Sequence, residues 1–580
     1  MDSLGVLGVL AAANLKRIKT DILILGSGGA GLFAALHAHQ ADPKLSITIA
    51  VKGLLGKCGC TRMVQGGYNV ALAPEDSVER HFMDTIEGGK WLPDQDLAWT
   101  LVSVAVERIH ELEHELGCFF DRNPDGTVHQ KAFAGQTFDR TVHKGDLTGI
   151  EIINRLAEQV WARAIGRMEE HRALEFIRSR SGDALAGVLM MDIRSGEFLF
   201  VQAQAVLLAT GGGPTMYKYH TPSGDKTCDG MAMALRAGLQ LRDMEMVQFH
   251  PTGLLAGAGT RMTGTVLEEG LRGSGGYLLN GAQDRFMRNY DANGERATRD
   301  IVSRAIYAEM RAGRTTPNGG VFISMAHLGP ERVRKEFKGM VERCADCGFD
   351  LAGGLVEVVP TAHYMMGGVV FSGDCTTGLP GLFVAGEDAG GVHGANRLGG
   401  NGVANSTVFG GIAGDVMPGW VRHNGNFHEP DEAAVESAVA RATAPLRKQA
   451  GDLNAIRERL YDVMWDDVGI IRDAASLRRA EGALDELEAR LDATGVDGSN
   501  LAFNLTWHDW LNLKNLLLVS QAIRASAVAR EDSRGAHYRA DFPDVRDLDS
   551  SRFVCVGWRE GRFEISTRPV QFTRVRPGET

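Results

Sequence analysis

The sequence predicts an α/β fold of the Rossmann-like type, and two local patterns carry this prediction. The apolar run 20–25 is typical of a buried strand and leads directly into a glycine-rich turn, after which 33–38 favours a helix. A second apolar strand is predicted at 46–51, and it ends about 20 residues past the turn. Strand, tight turn and helix in this order predict a sheet with helices packed on it.

The turn satisfies the spacing G-x-G-x-x-G. In this pattern the first glycine makes the tight turn, the second leaves room for a pyrophosphate, and the third lets helix and strand pack closely. The helix N-terminus then faces the phosphates, where unpaired N–H groups and the helix dipole favour negative charge. We therefore predict a dinucleotide cofactor held by Gly26, Ser27, Gly28, Gly29, Ala30 and Gly31.

The residue after the second strand discriminates between two dinucleotides. An NAD site usually places an acidic residue there, where it binds the ribose. This chain has Lys52 instead. The basic residue favours FAD over NAD, and we include Lys52 among the predicted cofactor-binding residues.

Size and composition limit the classes of function. A chain of 580 residues, 44% hydrophobic and 23% charged, is expected to form several domains of a soluble globular protein. Its net charge of −11 gives no electrostatic support for nucleic-acid binding. Eight scattered cysteines fit a reducing compartment, and Cys344 and Cys347 have no second pair at metal or cluster spacing, so no metal site is predicted. The apolar run 4–13 is too short to span a bilayer, so we expect a cytoplasmic protein without direct membrane insertion, or one docked on the inner membrane through partners.

Two further segments are predicted to approach the cofactor. The polar, glycine-punctuated loop 58–71 is too long for a simple βα turn, and loops of this kind are often functional. An apolar strand at 205–209 ends at Thr210 and Gly211, where the backbone can come close to a ligand. Amphipathic helices are predicted at 94–116 and 149–162, and a strand at 198–201 precedes the one at 205–209.

Motifs in the rest of the chain carry a specific resemblance. They appear in the order 229–230, Gln248-Phe249-His250-Pro251-Thr252, 271–273, 275–280, Arg299-Asp300, Pro360-Thr361-Ala362-His363, 384–387, His393-Gly394-Ala395-Asn396-Arg397 and 533–537. From about residue 20 to Pro543 the sequence resembles the flavoprotein subunit of the succinate dehydrogenase and fumarate reductase family, and L-aspartate oxidase is a near relative. Chance would not produce so many motifs in this order.

The resemblance implies a discontinuous FAD-binding domain over 1–245 and 360–420. It is interrupted by an α+β capping domain over 246–359, which closes over the substrate. A Glu- and Ala-rich composition independently predicts a helical domain over 430–530. Alternating apolar and polar residues from Arg552 onward predict a short β-rich C-terminal region within 531–580.

The resemblance also implies roles for individual residues. Arg299 is the expected proton donor or acceptor, and because an arginine normally stays protonated, this role requires neighbours that relay the proton. His250, His363 and Arg397 complete the catalytic set, since they match positions that hold substrate carboxylates. Glu268 and Glu269 are also expected to contact the substrate. The implied cofactor-binding positions are Lys52, Cys60, Thr61, Gln65, Gly66, Gly67, Thr210, Gly211, Asp229, Glu387, Arg397, Gly402 and Val403.

One departure from the family concerns the flavin. Where the family has a histidine that bonds covalently to the flavin ring, this chain has Cys60. A small buried thiol beside non-covalently bound FAD is the favoured interpretation, and a thioether to the flavin, which needs a reactive thiolate, is the alternative. A covalent bond raises the flavin potential. A non-covalent flavin therefore favours alkene reduction, or oxidation of a substrate easier to oxidise than succinate.

A second departure concerns the substrate. Glu268 stands where the family has the threonine of a Thr-Glu-Gly sequence, which contacts one substrate carboxylate. Two like charges 4 Å apart repel by roughly 4 kcal/mol at an effective dielectric near 20. Either Glu268 points away or is protonated, or the substrate lacks that carboxylate and carries an amine, amide or hydroxyl there. The last alternative is slightly favoured.

Together these expectations describe an FAD-dependent oxidoreductase that interconverts a CH–CH and a C=C bond in a small carboxylate. Hydride would pass between substrate and flavin N5, with Arg299 handling the proton. By resemblance, electrons would travel to or from an iron–sulfur partner subunit, because this chain has no cluster-binding cysteine pattern. Two alternatives stay open: an amino acid oxidase like L-aspartate oxidase, and an FAD-bound scaffold subunit without turnover.

Overall fold

A computed structural model describes residues 15–257, 260 and 262–579 of the chain. The apolar run 4–13, considered above as a membrane segment, lies outside these residues. Among the residues that are described, no helix combines the length and the apolar character needed to cross a bilayer.

A seven-stranded sheet forms the centre of the Rossmann-like part. The apolar strand Lys16–Leu25 pairs in parallel with Ile47–Val51 on one side and with Phe198–Leu208 on the other. Because parallel strands end at the same edge, the turn at Gly26 lies beside the turn at Thr210. The remaining strands are Gly166–Glu169 and Leu382–Val384, which are parallel, and Leu185–Asp192 and His171–Arg178, which are antiparallel.

The predicted strands at 198–201 and 205–209 are wrong as separate elements, because the structure has one strand, Phe198–Leu208. The polar residues Gln202 and Gln204 interrupt the apolar pattern of this strand. Gln202 donates to the carbonyl of His428 at 2.7 Å, and Gln204 donates to the carboxylate of Asp21 at 2.6 Å. Both side-chain amides therefore find partners beside the sheet, and the strand continues through them.

A second sheet, of four antiparallel strands, carries most of the predicted substrate residues. Its order is Val247–Leu254, Leu355–Met365, Val321–Ser324 and Tyr277–Leu279. Helix Arg299–Arg311 packs on the first of these strands. The long strand Leu355–Met365 passes through residue 360, where the sequence places a domain limit. The sheet therefore joins the two predicted domains physically, and the limits themselves stay predictions.

Two smaller sheets complete the strands of the described chain. The C-terminal hairpin Arg552–Arg559 and Arg562–Pro569 joins Leu241–Arg242 and Gly368–Val369 in a four-stranded sheet. A three-stranded sheet contains Tyr68–Asn69, Thr141–Val142 and Gln130–Lys131. The hairpin confirms the predicted β structure at the C-terminus.

Helices cover the sheets and form the region after residue 430. The predicted helices at 94–116 and 149–162 are confirmed within two residues. The α-helices are Gly29–Ala41, Val78–Gly88, Gln95–His114, Thr148–Trp161, Asp229–Arg236, Gly270–Gly273, Arg299–Arg311, Pro330–Glu336, Lys338–Asp346, Asn401–Asn424, Glu432–Thr443, Leu453–Asp466, Ala474–Ala493 and Leu505–Ala529.

Close packing explains two glycines of the first turn. Gly26 has φ +112°, and a Cβ there would overlap the carbonyl oxygen of Ala209. A Cβ on Gly31 would overlap the carbonyl oxygen of Gly26, so helix and strand approach too closely for any side chain. Gly28 differs, because its Cβ would meet only the hydroxyl of Thr61 at 3.7 Å. Gly26 and Gly31 therefore serve packing, whereas Gly28 borders open space.

Candidate active site

A cavity of about 720 Å³ joins the first glycine-rich turn to the predicted substrate residues. Gly31 is the one predicted site residue that does not line it. The others do: Gly26, Ser27, Gly28, Gly29, Ala30, Lys52, Cys60, Thr61, Gln65, Gly66, Gly67, Thr210, Gly211, Asp229, His250, Glu268, Glu269, Arg299, His363, Glu387, Arg397, Gly402 and Val403.

The end of the cavity at the glycine-rich turn fits phosphate groups. Helix Gly29–Ala41 has no side-chain cap at its N-terminus, although the N–H of Gly29 donates to the hydroxyl of Thr61 at 3.1 Å. A Cβ on Gly211 would have no neighbour within 4 Å. Backbone without side chains thus borders the cavity at both turns, beside a helix N-terminus that favours anions. This is the arrangement a dinucleotide pyrophosphate requires.

The lysine that replaces the acid of NAD sites is paired within the protein. Lys52 Nζ lies 2.8 Å from Asp229 Oδ2, and Arg172 Nη2 lies 2.9 Å from Asp229 Oδ1. Burial raises the pKa of Asp229, but the two cations Arg172 and Lys52 hold it below its ordinary value. The ion pairs between Asp229 and the two cations therefore form part of the cavity wall at this end.

Two acids anchor the second turn to the strand that carries His363. Asp388 accepts hydrogen bonds from the hydroxyl of Thr210 at 3.0 Å and from the N–H of Gly211 at 2.8 Å. Glu387 accepts one from the N–H of Met365 at 2.9 Å. Burial raises the pKa of Asp388 to about 7 and also raises the pKa of Glu387. These hydrogen bonds fix the position of the turn at Thr210, at the cofactor end of the cavity, relative to the strand that carries His363 at the substrate end.

The loop 58–71 contributes a buried acceptor and a thiol. Gln65 Oε1 is buried and accepts no hydrogen bond from the described residues, so a ligand N–H such as that of a flavin ring would satisfy it. Burial and the carboxylate of Glu387 raise the pKa of the Cys60 thiol to about 12. A thiol this weakly acidic is not a thiolate at neutral pH. The site thus fits a flavin, and non-covalent binding stays the favoured prediction.

Arg299 begins the helix Arg299–Arg311 and lies in a buried ionic chain. Its Nη2 lies 2.8 Å from Glu269 Oε2, and its Nη1 donates to Gln248 Oε1 at 3.1 Å. The other oxygen of Glu269 lies 2.8 Å from Arg272 Nη2. Burial raises the pKa of Glu269, but Arg299 and Arg272 bring it down to about 2. A carboxylate thus connects two guanidiniums inside the protein.

The two predicted histidines lie side by side and are neutral. Their ring centroids are 5.4 Å apart. The N–H of Thr252 donates to His250 Nδ1 at 3.3 Å, so the ring proton of His250 lies on Nε2. His363 Nδ1 pairs with the hydroxyl of Thr221 at 3.2 Å. Burial, and then the charge of Arg299, lowers the pKa of both histidines well below 6.5. Each can therefore bind a carboxylate as a neutral N–H donor.

Arg397 is a buried guanidinium without a carboxylate partner in the described chain. It is 5% exposed, its Nη1 donates to the carbonyl of Leu398 at 3.3 Å, and its Nε has no hydrogen-bond partner. Its Cζ lies 4.5 Å from the ring centre of Tyr364. Burial and the charge of Arg299 lower its pKa to about 10. A buried cation with a free edge on a cavity is suited to bind an anion.

Glu268 faces the cavity and carries its own counter-charge. The residue is buried, and its Oε2 lies 3.1 Å from Lys131 Nζ. The alternatives for Glu268, which are a carboxylate that points away or is protonated and a substrate without the second carboxylate, stay predictions. Lys131 reduces the repulsion between Glu268 and an anionic ligand, but it does not remove the carboxylate from the wall.

Sequence reasoning missed several partners of the site. Lys131 gave no signal, because it lies 137 residues from Glu268. Arg272 lies three residues after Glu269, a helical spacing that could have paired them. Arg343, which also lines the cavity, stands next to Cys344 and Cys347, and that pair does not indicate a role for the arginine. No cluster of three or more His, Cys, Asp or Glu suited to a metal ion occurs in the part of the chain that is described.

The parallel strands of the central sheet end in two glycine-rich turns, and one cavity joins these turns to buried arginines and histidines. This combination is typical of dinucleotide-dependent oxidoreductases. Comparisons with known proteins agree. The FAD binding domain family matches residues 21–403, and the fumarate reductase flavoprotein C-terminal family matches residues 457–580.

Two relatives and one solved structure are similar to nearly the whole chain. The chain is 41% identical over 536 residues to one component of the CoM/CoB fumarate reductase of Methanothermobacter marburgensis, covering 91% of this chain and 95% of the relative. It is 35% identical over 578 residues to the flavoprotein subunit of 8-methylmenaquinol:fumarate reductase of Wolinella succinogenes, covering 94% and 92%. The fold matches E. coli quinol fumarate reductase FrdA with a TM-score of 0.92 at 32% identity, covering 97% and 99%.

The chain belongs to the fumarate reductase flavoprotein family, and it is an FAD-dependent oxidoreductase acting on CH–CH bonds. The predicted fold class, the resemblance and the cofactor are thereby confirmed.

Proposed function

We propose that the protein reduces or forms a carbon–carbon double bond beside a carboxylate, with fumarate and succinate as the reference pair. The observation that carries the proposal is the ionic chain of Arg299 and Glu269 in one cavity with the free edge of Arg397. When bound, FAD accepts or supplies the hydride. Binding, orientation and proton transfer belong to residues of this chain.

Arg397 and the two histidines are the proposed carboxylate ligands. Arg397 lines the cavity, its Nε has no hydrogen-bond partner among the described residues, and its Nη1 makes only one long hydrogen bond, so the guanidinium has donors left for a carboxylate. His250 and His363 add neutral donors without adding charge. Together these three side chains hold the substrate in one orientation, so the reacting groups are already in position when the reaction begins.

Arg299 is the proposed proton donor in the reducing direction. Glu269 accepts hydrogen bonds from Arg299 and from Arg272, so it can return a proton to Arg299 after each turnover. Glu269 is ionised and buried, so it has a lone pair for a proton in transit, and with a pKa of about 2 it does not retain that proton. Gln248 holds the remaining Arg299 nitrogen, which fixes the guanidinium in the cavity.

The electron partner is proposed to be an iron–sulfur subunit. Five large apolar side chains on or next to helix Thr148–Trp161 are 42–66% exposed: Leu54, Met63, Phe119, Leu147 and Trp161. Leu147 and Met63 also line the cavity beside Cys60, so this surface lies next to the cofactor. The names of the two relatives differ, CoM/CoB in one and 8-methylmenaquinol in the other, so family membership does not determine the ultimate electron donor.

A spectroscopic experiment tests the catalytic proposal. The purified yellow enzyme is photoreduced without oxygen and mixed with fumarate or related enoates, and flavin reoxidation is followed. The Arg299→Ala variant should bind FAD and substrate, but its flavin should be reoxidised about 10²–10⁴-fold more slowly, as expected for loss of a general acid. Arg296→Ala is the matched control, because Arg296 is an exposed arginine three residues away.

Other outcomes of that experiment would identify other functions. Full activity of Arg299→Ala would refute the proton-donor role. Bleaching of the oxidised flavin by aspartate, with release of hydrogen peroxide, would favour the amino acid oxidase instead. A flavin that responds to neither class of compound would favour the scaffold. Iron and sulfide that purify with the protein would belong to the partner subunit. Their loss from a variant with Phe119 and Trp161 changed to serine, but not from Val545→Ser, would support the proposed docking surface.

A further inference from the structure

One lysine of the cavity wall has no hydrogen-bond acceptor for its ammonium among the described residues. Lys226 lines the cavity, and its side chain is 15% exposed. The carboxylate oxygen that pairs with it, Oδ2 of Asp225, lies 3.6 Å from Nζ, which is longer than a hydrogen bond. An ammonium has three N–H donors. A largely buried lysine with unused donors is suited to bind an anion that enters the cavity.

Backbone contacts fix the point from which the Lys226 side chain extends. The N–H of Lys226 donates to the carbonyl of Ser223 at 2.9 Å, and the carbonyl of Lys226 accepts from the hydroxyl of Thr215. A Cβ on Gly213 would overlap the Cβ of Lys226, so the turn after strand Phe198–Leu208 packs directly against this residue. The lysine side chain therefore begins at the second glycine-rich turn.

The ammonium of Lys226 ends beside the first glycine-rich turn. A Cβ on Gly59 would lie 3.9 Å from Lys226 Nζ and 3.9 Å from Gly28 Cα. The ammonium and Gly28 Cα are therefore separated by no more than twice that distance. Gly28 borders open space and precedes the uncapped N-terminus of helix Gly29–Ala41, where a pyrophosphate is expected. The lysine thus crosses from the second turn to the first, beside the expected phosphates.

Other cations at this end of the cavity are engaged or screened. Lys52 Nζ lies 2.8 Å from Asp229 Oδ2. Arg62 Nη1 donates to Asn154 Oδ1 at 3.1 Å. Lys57 lines the cavity but is exposed, so water screens its charge. Of these four cations, Lys226 is the one that combines burial with unused donors.

We propose that Lys226 binds the diphosphate of FAD and adds a point charge to the backbone N–H groups and helix N-terminus of the first turn. Asp225 competes weakly for the ammonium, because its side chain is 40% exposed and accepts a hydrogen bond from the hydroxyl of Ser223. Burial lowers the pKa of Lys226, but the charge of Asp225 raises it above its ordinary value, so the ammonium is charged at neutral pH. This assignment concerns the cofactor and does not depend on the proposed reaction.

Two flavins test the assignment, one with the diphosphate and one without it. FAD is removed from the purified holoenzyme, and the binding of added FAD or riboflavin is followed by flavin fluorescence. Lys226→Met should raise the Kd of FAD about tenfold to hundredfold, as expected for loss of a charge-assisted hydrogen bond, and should leave the Kd of riboflavin unchanged. Lys226→Arg, which keeps the charge, should recover part of the affinity for FAD.

Two further variants control for a structural role of the lysine. Lys218→Met removes a lysine that pairs with Asp462 and does not line the cavity, so both Kd values should stay unchanged. Asp225→Asn breaks the ion pair but leaves the ammonium in place, so it should not weaken FAD binding.

Three results would overturn the proposal: a Kd of FAD that Lys226→Met changes by less than about twofold, equal weakening of FAD and riboflavin, or equal weakening of FAD by Asp225→Asn and Lys226→Met. If the flavin cannot be removed, or Lys226→Met does not fold, a crystal structure of the wild-type holoenzyme decides. A phosphate oxygen within about 3.5 Å of Lys226 Nζ supports the proposal, and a larger separation overturns it.

Discussion

Replacing Glu269 with glutamine removes the charge between two buried arginines. Glu269 is 3% exposed, and its pKa falls from the ordinary 4.5 to about 2 in the folded protein. At about 1.36 kcal/mol per pKa unit, this difference corresponds to about 3 kcal/mol of stabilisation of the ionised carboxylate. Removing one partner of a buried pair costs about 3–5 kcal/mol, so the two arguments agree. We expect Glu269→Gln to lower both Tm and activity.

The pH dependence follows from the direction of this shift. A lowered pKa stabilises the folded state above about pH 4.5, and the stabilisation is lost as the pH falls toward 2. The Tm difference between wild type and Glu269→Gln should therefore be constant above about pH 5 and shrink below it. Thermal unfolding followed by flavin fluorescence measures this difference. A Tm difference that grows with acid would contradict the assignment of charge to Glu269.

A matched variant separates stability from catalysis. Glu309 lies in the same predicted domain and lies 2.6 Å from Arg314, but it does not line the cavity. Glu309→Gln should lose stability and keep kcat, whereas Glu269→Gln should lose about 10²–10⁴ in kcat, because a glutamine cannot relay a proton. Equal kcat values for the two variants would refute the relay through Glu269.

Three further predictions concern the binding groups. Because burial and the Arg299 charge keep His250 and His363 neutral, substrate KM should not vary between pH 6 and pH 8, and a KM that rises or falls with a midpoint near 6.5 would show a titrating histidine. Acid precipitation should release the flavin into solution, and Cys60→Ala should keep its yellow colour; colour that stays with the precipitate would show a covalent bond. Gly28→Ala should fold but bind FAD more weakly, whereas Gly31→Ala should yield little folded protein; folded, FAD-binding Gly31→Ala would contradict the close packing.

Local signals in the sequence predict the cofactor end well. The strand, the turn at Gly26–Gly31 and the following helix are neighbours along the chain, so periodicity and glycine spacing are sufficient to predict them. The same holds for the helices found at Gln95–His114 and Thr148–Trp161. Local pattern does not predict the single strand Phe198–Leu208, because Gln202 and Gln204 interrupt its apolar run and their hydrogen-bond partners lie far away in the sequence.

Ion pairs between distant segments could not be predicted from local sequence. Lys131 meets Glu268 because the three-stranded sheet places it on the cavity wall, and nothing near Lys131 in sequence indicates this contact. Arg343 reaches the cavity because its helix packs on the segment 266–268. The motifs identify residues of the site, but tertiary contacts decide which charges remain free to bind a ligand.

The most direct measurement is a crystal structure of the oxidised holoenzyme with a saturated dicarboxylate bound. One carboxylate should lie within hydrogen-bond distance of Arg397, and the reacting carbons should lie between the flavin ring and the guanidinium of Arg299. A dicarboxylate bound away from Arg397, or an Arg299 side chain turned out of the cavity, would contradict the account.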